Sequence, residues 1–169
     1  MGHISLADLD PRTPIVVGVG QAAERLTDTD YAALGEADLA ARAVTAALED
    51  SGLPAGVIDT VAAVRSFEKS SPAAQAPFGR PNNMPRAVAA RTGMNPVRAI
   101  EERAGGQSPQ HLVTEFATAI AAGEAESVVL FGAEVISTVR NAQKNGTALD
   151  FAETVDGQLE DRGFGIAGL

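Results

Sequence analysis

Residues 96–134 read PVRAIEERAGGQSPQHLVTEFATAIAAGEAESVVLFGAE, and the order of signals in that stretch decides the fold. Val97 to Ile100 is a short apolar run that predicts a strand. Gly105-Gly106 interrupts the chain. From Gln107 to Ala122, the residues Leu112, Val113, Phe116, Ala117 and Ile120 fall on one helical face. Gly123 supplies the stop. Ser127 to Gly132, SVVLFG, then reads as a buried strand. Strand, helix and strand in immediate succession make a βαβ unit, with parallel strands and a right-handed crossover.

The same alternation continues upstream. Glu36 to Ser51 predicts a helix, because Leu39, Ala40, Ala43, Val44, Ala47 and Leu48 form one stripe. Glu36 and Asp38 suit its first turn, and Gly52 and Pro54 its end. Val57 to Val64 predicts a strand, and Pro85 to Thr92 a short helix stopped by Gly93. Ile15 to Val19, ended by Gly20, reads as a further buried strand. Residues 24–35 carry loop signals. Residues 66–83, rich in Ser, Pro, Ala, Gly and Asn, predict a long loop, either functional or a disordered excursion. Downstream of Arg140 the periodicity is lost, and Asn145-Gly146 marks a turn. The expected class is α/β, a layered, mainly parallel sheet built of βαβ units.

Composition narrows the function. The 169 residues suit one domain with a sizeable core, 45% of them hydrophobic but only 4% aromatic. A formal charge of −9 repels a phosphate backbone and an anionic lipid surface, so neither nucleic acid nor membrane is expected as a partner. No apolar run is long enough to span a bilayer. The start, MGHISLADLDPRTP, lacks a basic segment followed by an apolar core, so a cytoplasmic location is the default expectation. The sequence contains no cysteine, and its histidines are His3 and His111. Disulfides, thiol nucleophiles and a typical zinc site are therefore not expected.

Several motifs bear on chemistry. Gly18-x-Gly20-x-x-Ala23 matches a dinucleotide fingerprint, but the text that follows does not sustain a helix, and the second strand ends in Ala63-Val64-Arg65 without the acidic residue. A tight glycine turn accounts for it as well. Gly106-Gln107-Ser108 begins like a nucleophile elbow, yet Gln110 stands where the second glycine is required, and His111 lies three residues along the same helix. Gly105-Gly106 before a helix leaves N–H groups exposed, which suits either an anionic or carbonyl oxygen or a tight packing turn. Glu101-Glu102 reads as solvated charge.

Taken together, Pro96 to Ile100 and the segment AGGQSPQHLVTEFATAIAAGEAESVVLFGAE resemble the thiolase superfamily. They follow its strand, nucleophile turn, long helix, connection, strand and G-x-E sequence. RTPIVVGVGQ resembles the family's first strand, and ADLAARAVTAALEDSGL with VIDTV its first helix and second strand. The likeness covers residues 12–140 and implies the N-terminal half of a thiolase-like fold. It divides the chain into a leader over 1–13, that half over 14–139, and the start of a loop segment over 140–169.

Counting back from Ala121-Ala122-Gly123 places the family's nucleophilic cysteine at Gly106, in a turn with Gly105, Gln107, Ser108 and His111 nearby. Ser108 keeps the family's serine, and Pro109 replaces the glycine after it. GGQSPQ is most similar to a cysteine-lacking branch usually named acetyl-CoA acetyltransferases. Coenzyme A or an acyl-CoA is then the implied ligand, with no tightly bound cofactor and no metal, in a setting of lipid metabolism. Glycine cannot form the thioester of thiolase acyl transfer. The resemblance implies an acyltransferase or a retro-aldol carbon–carbon lyase without cysteine-dependent thiolase activity, the latter needing a base and an oxyanion site. The alternative is a non-catalytic acyl-CoA-binding or scaffold subunit. The family's C-terminal half, with its histidine and second cysteine, is expected on further chain or on a partner. That partner would be a second copy, as in the family dimer, or a complementary thiolase-like or OB-fold chain.

Overall fold

The computed structural model describes residues 9–71 and 76–164, so part of the leader and of the long loop lies outside the described residues. The helices are α1 (Glu36–Ser51), α2 (Met84–Thr92), α3 (Ser108–Ala122) and α4 (Ile136–Asn145), and the strands β1 (Thr60–Val64), β2 (Arg98–Glu102), β3 (Val128–Gly132) and β4 (Glu160–Asp161). Local chemistry sets their ends. The Asn83 side chain accepts a hydrogen bond from the Arg86 N–H and so caps α2, with Pro85 in its first turn. Gly52, Gly93, Gly123 and Gly146 close the four helices in the left-handed conformation.

The strands form one sheet in the order β3-β1-β2-β4, with every pairing parallel. Period-two alternation gives the central strands two buried faces. Val61, Ala63 and Ala99 pack with Ala40, Val44, Ala87 and Val88 of α1 and α2. Ala62 and Ile100 pack with Leu112 and Phe116 of α3. Fully burying a side chain the size of Val61 or Leu112 stabilises by about 1.5–3 kcal/mol, so these two clusters hold the three layers together. The α/β reading of the sequence agrees with this architecture, strand by strand, from residue 36 to residue 132.

Three expectations are corrected. The first is the strand at 15–19. Residues 13–25 form neither helix nor strand, and the side chains of Ile15, Val16, Val17 and Val19 are exposed. Both edges of β1 are taken, by β2 and β3. The segment lies against α1 instead. A Cβ built on Gly18 would stand 2.3 Å from the Ala47 carbonyl oxygen, and one on Gly20 2.1 Å from that of Ala43. The Val19 N–H donates to Asp50 at 2.9 Å. Gly18-x-Gly20 is therefore a backbone-to-helix contact, and no helix opens within the fingerprint.

The second correction concerns Glu101 and Glu102, which are not solvated: Glu102 is buried at 3% exposure, and the Glu101 side chain at 12%. Being adjacent on a strand, they point to opposite faces. Arg65 holds Glu101, and Arg162 holds Glu102. The third concerns the stretch after Arg140, where α4 and β4 appear. α4 is rich in β-branched residues and asparagine, which are poor helix formers, and it buries Thr138 and Ala142. β4 is only two residues long and is fastened by ion pairs, Arg98 to Glu160 at 2.6 Å and Arg65 to Asp161 at 2.8 Å.

Candidate functional site at the start of helix α3

β2 delivers the chain to the top of the sheet, and the turn into α3 must be made within a few residues. Gly105 takes φ 154°, a conformation that side chains rarely adopt. Its carbonyl accepts from the Ser108 N–H at 3.0 Å, and the Gln107 carbonyl from the His111 N–H at 2.9 Å. Gly106 is exposed, and no atom lies within 4 Å of where its Cβ would stand. Gln107 is exposed as well. Ser108 is completely buried, and its Oγ has no hydrogen-bond partner. A buried hydroxyl without a partner is costly, and such groups cluster where a ligand or water completes the bonding.

Beside this turn lies a cleft of about 490 Å³ at the carboxyl ends of β1 and β3. Its walls are apolar, from Leu112 and Val113 of α3 and from Val64, Leu130 and Phe131 of the strands. Its polar lining is Arg65, Ser66 and Glu134. Arg65 Nε and Ser66 Oγ are both buried and unpartnered. The second terminal nitrogen of Arg65 meets Glu101 at 3.2 Å and Asp161 at 2.8 Å, which fixes the guanidinium in place. An apolar pocket with a few convergent polar groups, at the carboxyl ends of parallel strands, is where α/β proteins take small molecules. Arg65 and Ser66 carry no sequence signal beyond their position directly after an apolar strand, and Glu134 enters the sequence reading only as the last residue of the G-x-E segment.

His111 is on the other flank of α3. It does not line the cleft. Its Nδ1 lies 3.2 Å from Glu102 Oε2, and its ring is largely exposed. Burial works to raise the Glu102 carboxyl, but hydrogen bonds from Arg162 and from the Arg103 N–H outweigh it and leave it below the usual carboxylate range. Hydrogen bonds from Arg162 likewise lower Glu115, and the same contacts, with Glu115 foremost, raise Arg162. Glu102, His111 and Glu115 offer ligand atoms within 4.8 Å of one another, the one such group among the described residues. Arg162 already stands between the two carboxylates, at 2.7 and 2.6 Å. A metal ion there would have to displace a guanidinium, so the cluster reads as a charge-neutralised latch for β4. Of the residues at the start of α3, Pro109 lines the cleft, Gly105, Gly106 and Ser108 lie beside it, and His111 is held in this latch.

No family model matches the chain, and no curated protein matches it. Among solved structures the chain is similar to a monomeric SCP2-thiolase like protein type 1 from Mycobacterium smegmatis, with 43% identity and a TM-score of 0.59. The match covers 74% of this chain and 24% of that one, so the chain spans a minor part of its neighbour's length. The fold is thiolase-like. No helix among the described residues is long and apolar enough to cross a membrane.

Proposed function

We propose that this chain binds an acyl-CoA at the start of α3, with the acyl group in the cleft, and that any chemistry there proceeds without a covalent acyl enzyme on this chain. The observation that carries the reading is the cleft itself. It is apolar along α3 and β3, and it carries unpartnered buried donors where β1 ends. The identity to an SCP2-thiolase like protein supports a thioester as the ligand class. An acyl chain would lie on Leu112, Val113 and Leu130. The open space at Gly106 admits a ligand atom where a side chain would otherwise project. Arg65 Nε and Ser66 Oγ are donors in the cleft wall suited to a carbonyl or enolate oxygen. Glu134 is the one carboxylate lining the cleft, and it accepts from the Phe67 N–H at 2.6 Å. A retro-aldol cleavage of an acyl-CoA needs such a base and such donors and no thiol.

Thermal unfolding in acetyl-CoA, longer acyl-CoAs and free CoA tests the reading. At a ligand concentration a hundredfold above Kd, binding adds about 2.7 kcal/mol. For a domain of this size that raises Tm by a few degrees, roughly 5–10 °C. Acyl-CoA should raise Tm more than CoA, and Val113→Trp, which fills the cleft from an exposed position of α3, should abolish the difference. Equal shifts for CoA and acyl-CoA, or an acyl-dependent shift that survives Val113→Trp, would remove the cleft from the proposal.

A further inference from the structure

On the opposite face of the sheet from α3, a cavity of about 280 Å³ opens between the start of α1, the helical turn Phe67–Lys69 and residues 76–81. Glu36, Lys69 and Arg80 line it, and Phe78 and Phe151 supply an apolar wall. We propose that this cavity is a second site, in which Lys69 takes a small carbonyl acid as a Schiff base, with Glu36 relaying the proton and Arg80 holding the acid's carboxylate.

The geometry assigns these parts. The Lys69 side chain is only 13% exposed and is ion-paired to Glu36, itself 7% exposed. Arg80 lies close enough to act on Lys69 by charge, and its Nη1 is buried with no hydrogen-bond partner. Of the other charges in the cavity wall, Arg91 holds Asp38 at 2.7 Å and Glu153 at 2.8 Å, Asp150 accepts from the Ala152 N–H at 2.9 Å, and Glu68 adds a further carboxylate. Arg80 is therefore the cation with capacity left for an incoming carboxylate. The protonation of Lys69 fits the role. Burial and then the Arg80 charge push its ammonium down to about 8, against the smaller upward pull of Glu101 and Glu134. Glu36 also favours the charged form. A lysine so placed offers far more neutral amine near pH 7 than an ordinary one, which is what attack on a carbonyl carbon requires.

The step balances. Lys69 gives a proton to Glu36, and its nitrogen pair forms the bond to the carbonyl carbon. The former carbonyl oxygen takes one proton from the attacking nitrogen, which makes the carbinolamine hydroxyl, then one from Glu36, and leaves as water as the nitrogen pair closes the carbon–nitrogen double bond. An iminium remains, and Glu36 ends as the carboxylate it began as. Nothing is oxidised or reduced.

The chain provides its own control, because its lysines are Lys69 and Lys144 alone. Lys144 is exposed in the last turn of α4. The wild-type chain is treated with glyoxylate and cyanoborohydride at pH 7, which reduces the iminium to an N-carboxymethyl amine, and the peptides are quantified by mass spectrometry. Lys69 should be modified at least about tenfold faster than Lys144, a preference that shrinks toward pH 10 as Lys144 also loses its proton. Equal rates, or faster labelling of Lys144, would overturn the site. Acetaldehyde, which lacks the carboxylate, should label Lys69 several-fold more slowly relative to Lys144. Arg80→Met should slow glyoxylate to the same degree. If acetaldehyde matches glyoxylate, the assignment of Arg80 is wrong. None of these readings depends on CoA or on the cleft beside α3, so this proposal and the acyl-CoA reading fail separately.

Discussion

Ile15-Val16-Val17-Gly18-Val19 and Thr60-Val61-Ala62-Ala63-Val64 have the same kind of sequence, short, apolar and β-branched, yet one is exposed and the other is the centre of the sheet. Val16 is 80% exposed and Val61 is not exposed at all. Propensity does not separate them. What does is pairing, since among the described residues the outer edge of β3 stays open and the 15–19 segment does not take it. β1 has β2 on one edge, in register from Thr60–Arg98 to Val64–Glu102, and β3 on the other. The 15–19 segment docks by its glycines on α1, where a helix backbone offers contact and no ladder of hydrogen bonds. An apolar run is a buried strand here where it is paired on both edges and covered on both faces, and apolar character alone does not secure either.

The sharpest way to break this comparison is to truncate both sides of it. Val61→Ala removes buried methyls from the α1–α2 core and should cost about 2 kcal/mol, whereas Val16→Ala should stay within about 0.5 kcal/mol. Urea unfolding of both variants decides it. A Val16→Ala cost equal to that of Val61→Ala would mean that the 15–19 segment sits in the sheet in solution.

A smaller effect sharpens the comparison at the glycines. Gly18→Val places a Cβ inside the Ala47 carbonyl and must lift the segment off α1, at about 1–2 kcal/mol. Gly106→Cys meets nothing within 4 Å and should be close to neutral. Hydrogen exchange of residues 14–23 should rise in the first variant and not in the second. The cysteine in the second should also alkylate readily, because it is exposed at the start of a helix. Faster exchange of residues 14–23 in Gly106→Cys, or none in Gly18→Val, would refute the docking.

The parts of the molecule legible in the sequence are those where one period dominates. The β2–α3–β3 unit can be read because the spacing of Leu112, Phe116 and Ile120 leaves a helix as the simplest arrangement, and SVVLFG leaves a strand. The stripe predicted for α1 is right in part, since Ala40, Val44 and Leu48 pack into the core. Ala37, Ala40, Ala41 and Val44 face the sheet, while Ala43 and Ala47 lie under Gly20 and Gly18. Two faces of α1 are covered, and a single stripe could not show that. At the candidate site the turn over Gly105, Gly106 and Ser108 was visible as a glycine pair before a helix. The convergence of Arg65 and Ser66 with Glu134 of the G-x-E segment was not, because they come from strand ends far apart in the chain and meet only through the parallel register. His111 looked like a site residue by proximity in sequence. On a helix, however, a few residues suffice to turn a side chain to another flank, and Glu102 holds it there.

The smallest expected effect concerns the two adjacent carboxylates, which test whether opposite faces of one strand impose opposite electrostatics. Burial is the main influence on Glu101 and leaves it raised, against the downward pull of Arg65. Burial also acts on Glu102, but the bonds from Arg162 and Arg103 prevail and leave it lowered. The signs follow from proton linkage. A carboxyl lowered in the folded state contributes stability that is present above the unfolded pKa and lost as pH falls through the folded value. A raised carboxyl does the reverse: its charged form is penalised at neutral pH, and the penalty disappears as pH falls through the folded value. Glu102→Gln should therefore lose stability at pH 7, and the gap to wild type should close only as pH falls below the usual carboxylate range, where Glu102 itself becomes protonated. Glu101→Gln should show the opposite trend, comparing least well with wild type in acid, where the wild-type carboxyl has been relieved of its charge. Urea midpoints between pH 3 and 7 read both slopes. Parallel slopes for the two variants would mean that the Arg162 latch on Glu102 does not hold in solution, and that β4 is released from the edge of β2.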